Sequence, residues 1–307
     1  MQKGKLKNVN LAASIDTLSI ISPQAAQIDT EVEYLNDIKT IKGGRFQEER
    51  YQYIINPNNT VSGELSTYGE YLAAIHEILA EMGITMYYKN RVDFRIDSKE
   101  DNFNELLKLN KCIILLLSMK YDVKNRYQSY DPLSLENLTI RIQNKYFEAE
   151  NYNKAYEEPG GVVKNRLELR SKSMRKDYCI PELIEKWSKR LDDLPKYYDI
   201  LQDKCNTELA ARWQKEKGNR AKGVFEFVRK YQDNIFCRRQ LINFFRMTGE
   251  KDPVKSADNF KQNNRIEYFS LKDIEHYIKM VSQALNLYCS KTLLEKSFWG
   301  EPPKLKS

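Results

Sequence analysis

Histidine is almost missing from this sequence. Only His76 and His276 occur in 307 residues. They are too far apart to form a His-x-His pair, so a metal site would have to be built from carboxylates. The five cysteines, Cys112, Cys179, Cys205, Cys237 and Cys289, are scattered and include no CxxC pair. That argues against a disulfide framework and against a zinc knuckle. There is no GxxxxGK[ST] or GxGxxG stretch, so nucleotide-fuelled and dinucleotide chemistry are disfavoured. The longest apolar run, Cys112 to Leu117, is too short to cross a bilayer. The basic start, Met1 to Lys7, has no apolar stretch behind it. The expectation is a chain without a secretory signal, at work in a reducing cytoplasm and away from membranes.

What is present suits a folded, soluble chain: 41% hydrophobic and 30% charged residues. The net charge of +7 is unevenly placed. Residues 1–170 hold 22 Lys+Arg and 24 Asp+Glu, whereas residues 171–307 hold 28 and 19, a net of +9. A basic second part suits a polyanion, and nucleic acid is the commonest. The equally simple alternative is a well-solvated basic helical domain.

Ala13–Ile21 reads as a strand, and residues 24–41 as a helix with Ile28, Val32, Leu35 and Ile38 on one side. Arg45–Asn56 reads as a strand, about 69–82 as a helix, Arg91–Asp97 as a strand and about 102–121 as a helix. A loop around Tyr130-Asp-Pro132 leads to a long strand, Leu138–Lys154, a turn at Pro159-Gly160-Gly161 and a last strand, Val162–Arg170. The predicted class is α+β: a mainly antiparallel sheet with helices on one face, followed by a mostly helical domain. Residues 1–171 and 172–307 are the expected domains. In the second, Arg238-Arg239-Gln240 opens a helix with apolar residues behind it, a pattern suited to a helix-turn-helix or winged-helix element. A helix closed by Gly249 and a capping box at Ser270–Asp273 are also predicted.

The strands carry the chemistry. Residues two apart share a face. Glu148, Glu150, Tyr152 and Lys154 therefore lie together, as do Arg166, Glu168 and Arg170, and as do Arg91, Asp93, Arg95 and Asp97. If the strands are neighbours, one face is apolar and the other, left open, is ionisable. An antiparallel sheet with one solvated face alternates in the same way without any activity. A tyrosine phenolate can attack a phosphodiester if a cation lowers its pKa and neutralises the phosphoryl oxygens. Tyr152, with Lys154 beside it, is the candidate nucleophile. Asp93, Glu148, Glu150 and Glu168 are candidate ligands for Mg²⁺ or Mn²⁺.

The set Ile15–Ile20, Arg91–Asp97, Tyr152-Asn-Lys154 and Arg166–Arg170, in that order, resembles rolling-circle replication initiators of small Gram-positive plasmids and filamentous phage. The resemblance covers roughly residues 13–170. It implies a relaxase-like sheet and a DNA nicking–joining enzyme that leaves a 5′-phosphate on tyrosine and frees a 3′-OH primer. Tyr152 matches the nucleophile, with Tyr146 placed on the same strand face. Asp93 and Glu168 match the acidic positions, while the His-hydrophobe-His metal motif of many such enzymes is absent. The implied partners are origin DNA, single- and double-stranded, with Arg91, Arg166, Arg170, Arg238 and Arg239 as contacts. Host helicase and polymerase, and a second copy in a homodimer, complete the expectation. The alternative from another class is a non-catalytic DNA-binding initiator or regulator.

Overall fold

The computed structural model describes residues 6, 9–28, 32–41, 49–60, 65–98, 103–123, 126–131, 134–152, 165–172, 174, 178–216, 223–232, 235–264 and 268–290. Its centre is one antiparallel sheet of eight strands, ordered β2-β3-β1-β4-β8-β7-β6-β5. These are β1 Leu11–Ser22, β2 Leu35–Ile41, β3 Arg50–Ile55, β4 Tyr88–Ser98, β5 Arg126–Asp131, β6 Ser134–Gln143, β7 Phe147–Tyr152 and β8 Asn165–Ser171. The two long strands, β1 and β4, sit in the middle because Ile15, Leu18 and Ile20 and then Val92, Phe94 and Ile96 are buried apolar residues.

Eight α-helices are present among the described residues. They are α1 Tyr68–Glu81, α2 Phe103–Lys120, α3 Ile180–Asp192, α4 Tyr198–Glu216, α5 Val224–Lys230, α6 Arg238–Met247, α7 Pro253–Asn264 and α8 Leu271–Ser290. Helix α2 crosses β6, β7 and β8, and α8 lies on β1 and β4. Helix α1 starts at a capping box between Thr67 and Glu70, and α8 at the expected one between Ser270 and Asp273. The apolar core runs on past residue 171: Trp187 of α3 and Tyr277 of α8 are buried in it with the sheet residues. A second cluster joins the end of α4 to α5, α6 and α7 around Phe227, Phe244, Phe245 and Phe260.

Three expectations are corrected. Residues 35–41, expected to be helical, form edge strand β2. A bulge between Leu35 and Asp37 sets Leu35 against Ile55 and Ile38 against Tyr53. The extra residue turns the strand's spacing of two into three, which imitates a helix. The long strand Leu138–Lys154 is in fact a hairpin. The Asn144 side chain accepts hydrogen bonds from the amides of Tyr146 and Phe147, at 2.8 and 2.9 Å. Such an Asx turn ends β6 and starts β7. Strand β5 and helix α7 were not anticipated; α7 buries only Ala257 and Phe260, too few for a clear apolar stripe. The expected turn at Pro159–Gly161 lies outside the described residues. From α3 onward every regular element among the described residues is helical.

Candidate active site on the polar face

The register of β1, β4, β8, β7 and β6 sets their polar side chains in rows across the sheet. Thr17, Asp93, Arg170, Glu148 and Gln143 form one row. Ser14, Arg95, Glu168, Glu150 and Arg141 form the next. Asp97, Arg166 and Tyr152 form the third. A bulge between Ile15 and Thr17 brings Asp16 to the same face, 3.3 Å from Arg95 and 3.4 Å from Arg166. The predicted faces are therefore as expected, and the four expected metal ligands do come together.

They come together on a guanidinium. Arg170 bonds Glu148 through Nη1 and Glu168 through Nη2. Its Nη1 is 2.9 Å from Glu150, and its Nε is 3.5 Å from Asp93. Glu150 and Glu168 face each other directly in the register, an arrangement that repels unless a cation bridges it. Arg170 supplies that bridge. Asp93 is also held by both nitrogens of the Arg91 fork. Asp97 takes a two-pronged bond from Arg166, at 2.7 and 2.8 Å. Glu148 also has Arg141 Nε at 2.9 Å as an ion-pair neighbour and accepts a bond from Lys172 at 3.1 Å.

The carboxylates Asp16, Asp93, Asp97, Glu148, Glu150 and Glu168 thus each meet a base among Arg91, Arg95, Arg141, Arg166, Arg170 and Lys172. Among the described residues, no group of His, Cys, Asp and Glu has the arrangement of a metal site. The carboxylate oxygens a divalent ion would use are engaged by guanidinium nitrogens, so the described residues do not fit the expected Mg²⁺ or Mn²⁺.

Nor is the face open in the way alternation suggests. Asp93 is 2% and Glu168 3% exposed. Burial lifts the Asp93 carboxyl to about 6, against the opposing pull of Arg91. Burial also raises Glu150, with Arg170 opposing and Glu168 adding to the rise. Burial pushes Glu148 upward too, but Arg170 and Lys172 outweigh it and leave that group below the usual range. The most exposed ion-pair members are basic: Arg141 at 38%, Arg91 at 33% and Lys172 at 25%.

Tyr152 ends β7, half-buried, and donates a 2.6 Å hydrogen bond to Glu168 Oε1. Its register partner is Arg166. Lys154 lies outside the described residues. Tyr146 is in the turn before β7 and 51% exposed. Its carbonyl accepts from the Lys172 amide at 2.8 Å, and along the strand it is about 20 Å from Tyr152. Arg91, Arg166 and Arg170 all lie in the network. Arg238, exposed, pairs with Asp258 through two 2.8 Å bonds, and Arg239 is exposed beside it. The sequence reading left out Asp16, Arg141 and Lys172. Asp16 is presented by a bulge, which alternation does not reveal.

No family model matches the chain, and no curated protein matches it. Among solved structures, a rolling circle replication initiator protein from Geobacillus stearothermophilus is similar over 58% of this chain and 78% of that one. The identity is 14% and the TM-score 0.31. A likeness of that size carries no argument, so what this face can do must be read from its residues.

Proposed function

We propose that the chain is a DNA nicking–joining replication initiator with Tyr152 as its nucleophile. The observation that carries this reading is the 2.6 Å bond from the Tyr152 hydroxyl to Glu168, beside Arg166 and Arg170. A hydroxyl held by a carboxylate has its proton acceptor in place. The two guanidinium groups supply the positive charge that a phosphoryl transition state needs. Tyr152 Oη attacks phosphorus in single-stranded DNA and its proton passes to Glu168. The P–O3′ bond breaks as the Oη–P bond forms, and the leaving 3′-oxygen takes a proton from water. The 5′-phosphate stays on Tyr152 and the 3′-OH primes synthesis; the reverse attack rejoins the strand. No step is routed through a metal ion.

The more exposed basic groups Arg91, Arg141 and Lys172 suit a polyanion lying across the face. Origin duplex, in this reading, is held by the basic part after residue 171.

A second reading is favoured by one observation: every carboxylate of the network is already paired. Such a network can serve the sheet alone, in a non-catalytic DNA-binding initiator or regulator. Incubation with single-stranded oligonucleotides separates the two. A denaturant-resistant protein–DNA adduct, mapped to Tyr152 by mass spectrometry, supports nicking. DNA binding without an adduct under any divalent-ion condition leaves only the second reading.

A further inference from the structure

Helix α7 is built to show one face. Pro253, Ala257, Phe260 and Asn264, spaced at four, three and four residues, turn toward the second cluster, where Ala257 and Phe260 are buried. The opposite face carries Lys255, Asn259, Gln262 and Asn263, all exposed. Their spacing of i, i+4, i+7 and i+8 puts them in one stripe, which rises about 12 Å along the helix. None of these four side chains makes a hydrogen bond or ion pair with the described residues.

The rest of the helix is pinned. Asp252 accepts from the Lys255 amide at the first turn. Arg238 of α6 grips Asp258 with two 2.8 Å bonds. Arg229 of α5 donates to Asn264 at 2.9 Å. Phe225 of α5 lies against Phe260, with ring centroids 5.9 Å apart. The acids near the stripe are therefore used internally: Asp252 as a cap, Asp258 in an ion pair, and Glu250 as acceptor from Ser256 at 3.3 Å. The helix presents three amides and an ammonium, and of the neighbouring acids Asp258 is neutralised by Arg238.

We infer that α7 is a base-reading helix that enters the major groove of duplex DNA, with Asn259, Gln262 and Asn263 reading base edges and Lys255 reading guanine or a phosphate. Asn and Gln amides match the donor–acceptor pair of adenine, and Lys matches the acceptors of guanine. The groove is about 12 Å wide, which admits a helix of this kind. The net of +9 over residues 171–307 favours a polyanion over a protein partner. The inference rests on the DNA-binding half of the proposed function and is independent of nicking. It moves sequence reading from α6, where Gln240 is buried and Arg238 is committed to Asp258, to α7.

The test uses the full chain. A pool of duplexes with a randomised centre is selected on the wild type and on the triple variant Asn259→Ala, Gln262→Ala, Asn263→Ala. The changes are exposed and uncharged, so melting temperature and salt dependence should stay as in the wild type. The wild type is expected to enrich a sequence. The variant should lose at least about fivefold in affinity for that sequence per base contact removed, while its affinity for the unselected pool is unchanged. No enrichment by the wild type, or equal enrichment by the variant, would overturn the inference. Adduct formation on single-stranded DNA, measured in the same preparations, should be equal in both proteins. Its absence from both would defeat the nicking reading and leave the outcome for α7 to the selection.

Discussion

Replacing Arg170 with Met removes one charge from the middle of four carboxylates and keeps most of the apolar stem. Glu150 and Glu168, directly opposed across β7 and β8, then lose their bridge, and Glu148 and Asp93 lose a neighbour. Breaking a buried ion pair from one side costs about 3–5 kcal/mol. In a chain of 307 residues that lowers the melting temperature by about 5–8 °C. The loss depends on pH, with a definite sign. Carboxyls stranded without Arg170 have folded-state pKa values above their unfolded ones. Their stabilising share is complete below an unfolded pKa of about 4 and disappears as pH rises through the folded value. The deficit relative to wild type should therefore be large at about pH 8 and shrink toward about pH 5. Thermal and urea unfolding followed by far-UV circular dichroism at both pH values measure it. A deficit below about 1 kcal/mol at the higher pH, or one that grows on acidification, would refute the buried-network description.

Tyr152→Phe should abolish the covalent adduct while costing about 1.5–3 kcal/mol, the worth of one hydrogen bond to a charged acceptor; an adduct that survives the change removes Tyr152 from the chemistry. Tyr146→Phe, altering an exposed turn residue, should leave both stability and adduct as they were. Asp93→Asn should not destabilise at about pH 8, because Asp93, raised by burial to about 6, is ionised there and the fold carries that buried charge at a cost the neutral amide lacks; stability from this group is complete below 3.8 and falls as pH rises through about 6. A loss of several degrees in the Asp93→Asn melting curve at that pH would contradict this. Titration with Mn²⁺ monitored by electron paramagnetic resonance should find no tight site on the wild type, since Arg170 holds the carboxylates; tight binding that disappears in Glu168→Gln would show that the guanidinium yields to metal.

The parts of this fold that alternation or helical spacing could reveal were legible. Val92, Phe94 and Ile96 on one side of β4, with Arg91, Asp93, Arg95 and Asp97 on the other, needed only a period of two. The same holds for β8. Helices α1, α2 and α8 were readable from apolar stripes and caps. The failures came where one residue changes the phase or ends an element. The bulge in β2 made a strand count like a helix. The bulge in β1 hid Asp16. Asn144, a turn former sitting inside an alternating run, split one strand into two and put Tyr146 in the turn. Helix α7 was missed because its outward face is polar all along and its inward face is narrow.

What the sequence could not supply was the row in which each charge sits. Sliding β7 by two residues against β8 would preserve every inward and outward assignment. It would set Glu150 against Arg170, Glu148 against Lys172 and Tyr152 against Glu168, so pairwise charge matching favours that wrong register. A slip of one is forbidden because it would turn the charges into the core, but a slip of two is not excluded by any pattern. The apolar side excludes it. Phe147 faces Ser171 in the register, and Trp187 of α3 touches both. Its indole N–H donates to the Ser171 hydroxyl at 3.1 Å, and its ring meets Phe147 edge-on at 5.7 Å. A tryptophan far along the chain thereby holds the pair that places Glu150 opposite Glu168. That placement leaves Arg170 to bridge two acids, one of which holds the Tyr152 hydroxyl. The geometry of the candidate nucleophile is thus decided on the opposite face of the sheet, by packing that no charge pattern records.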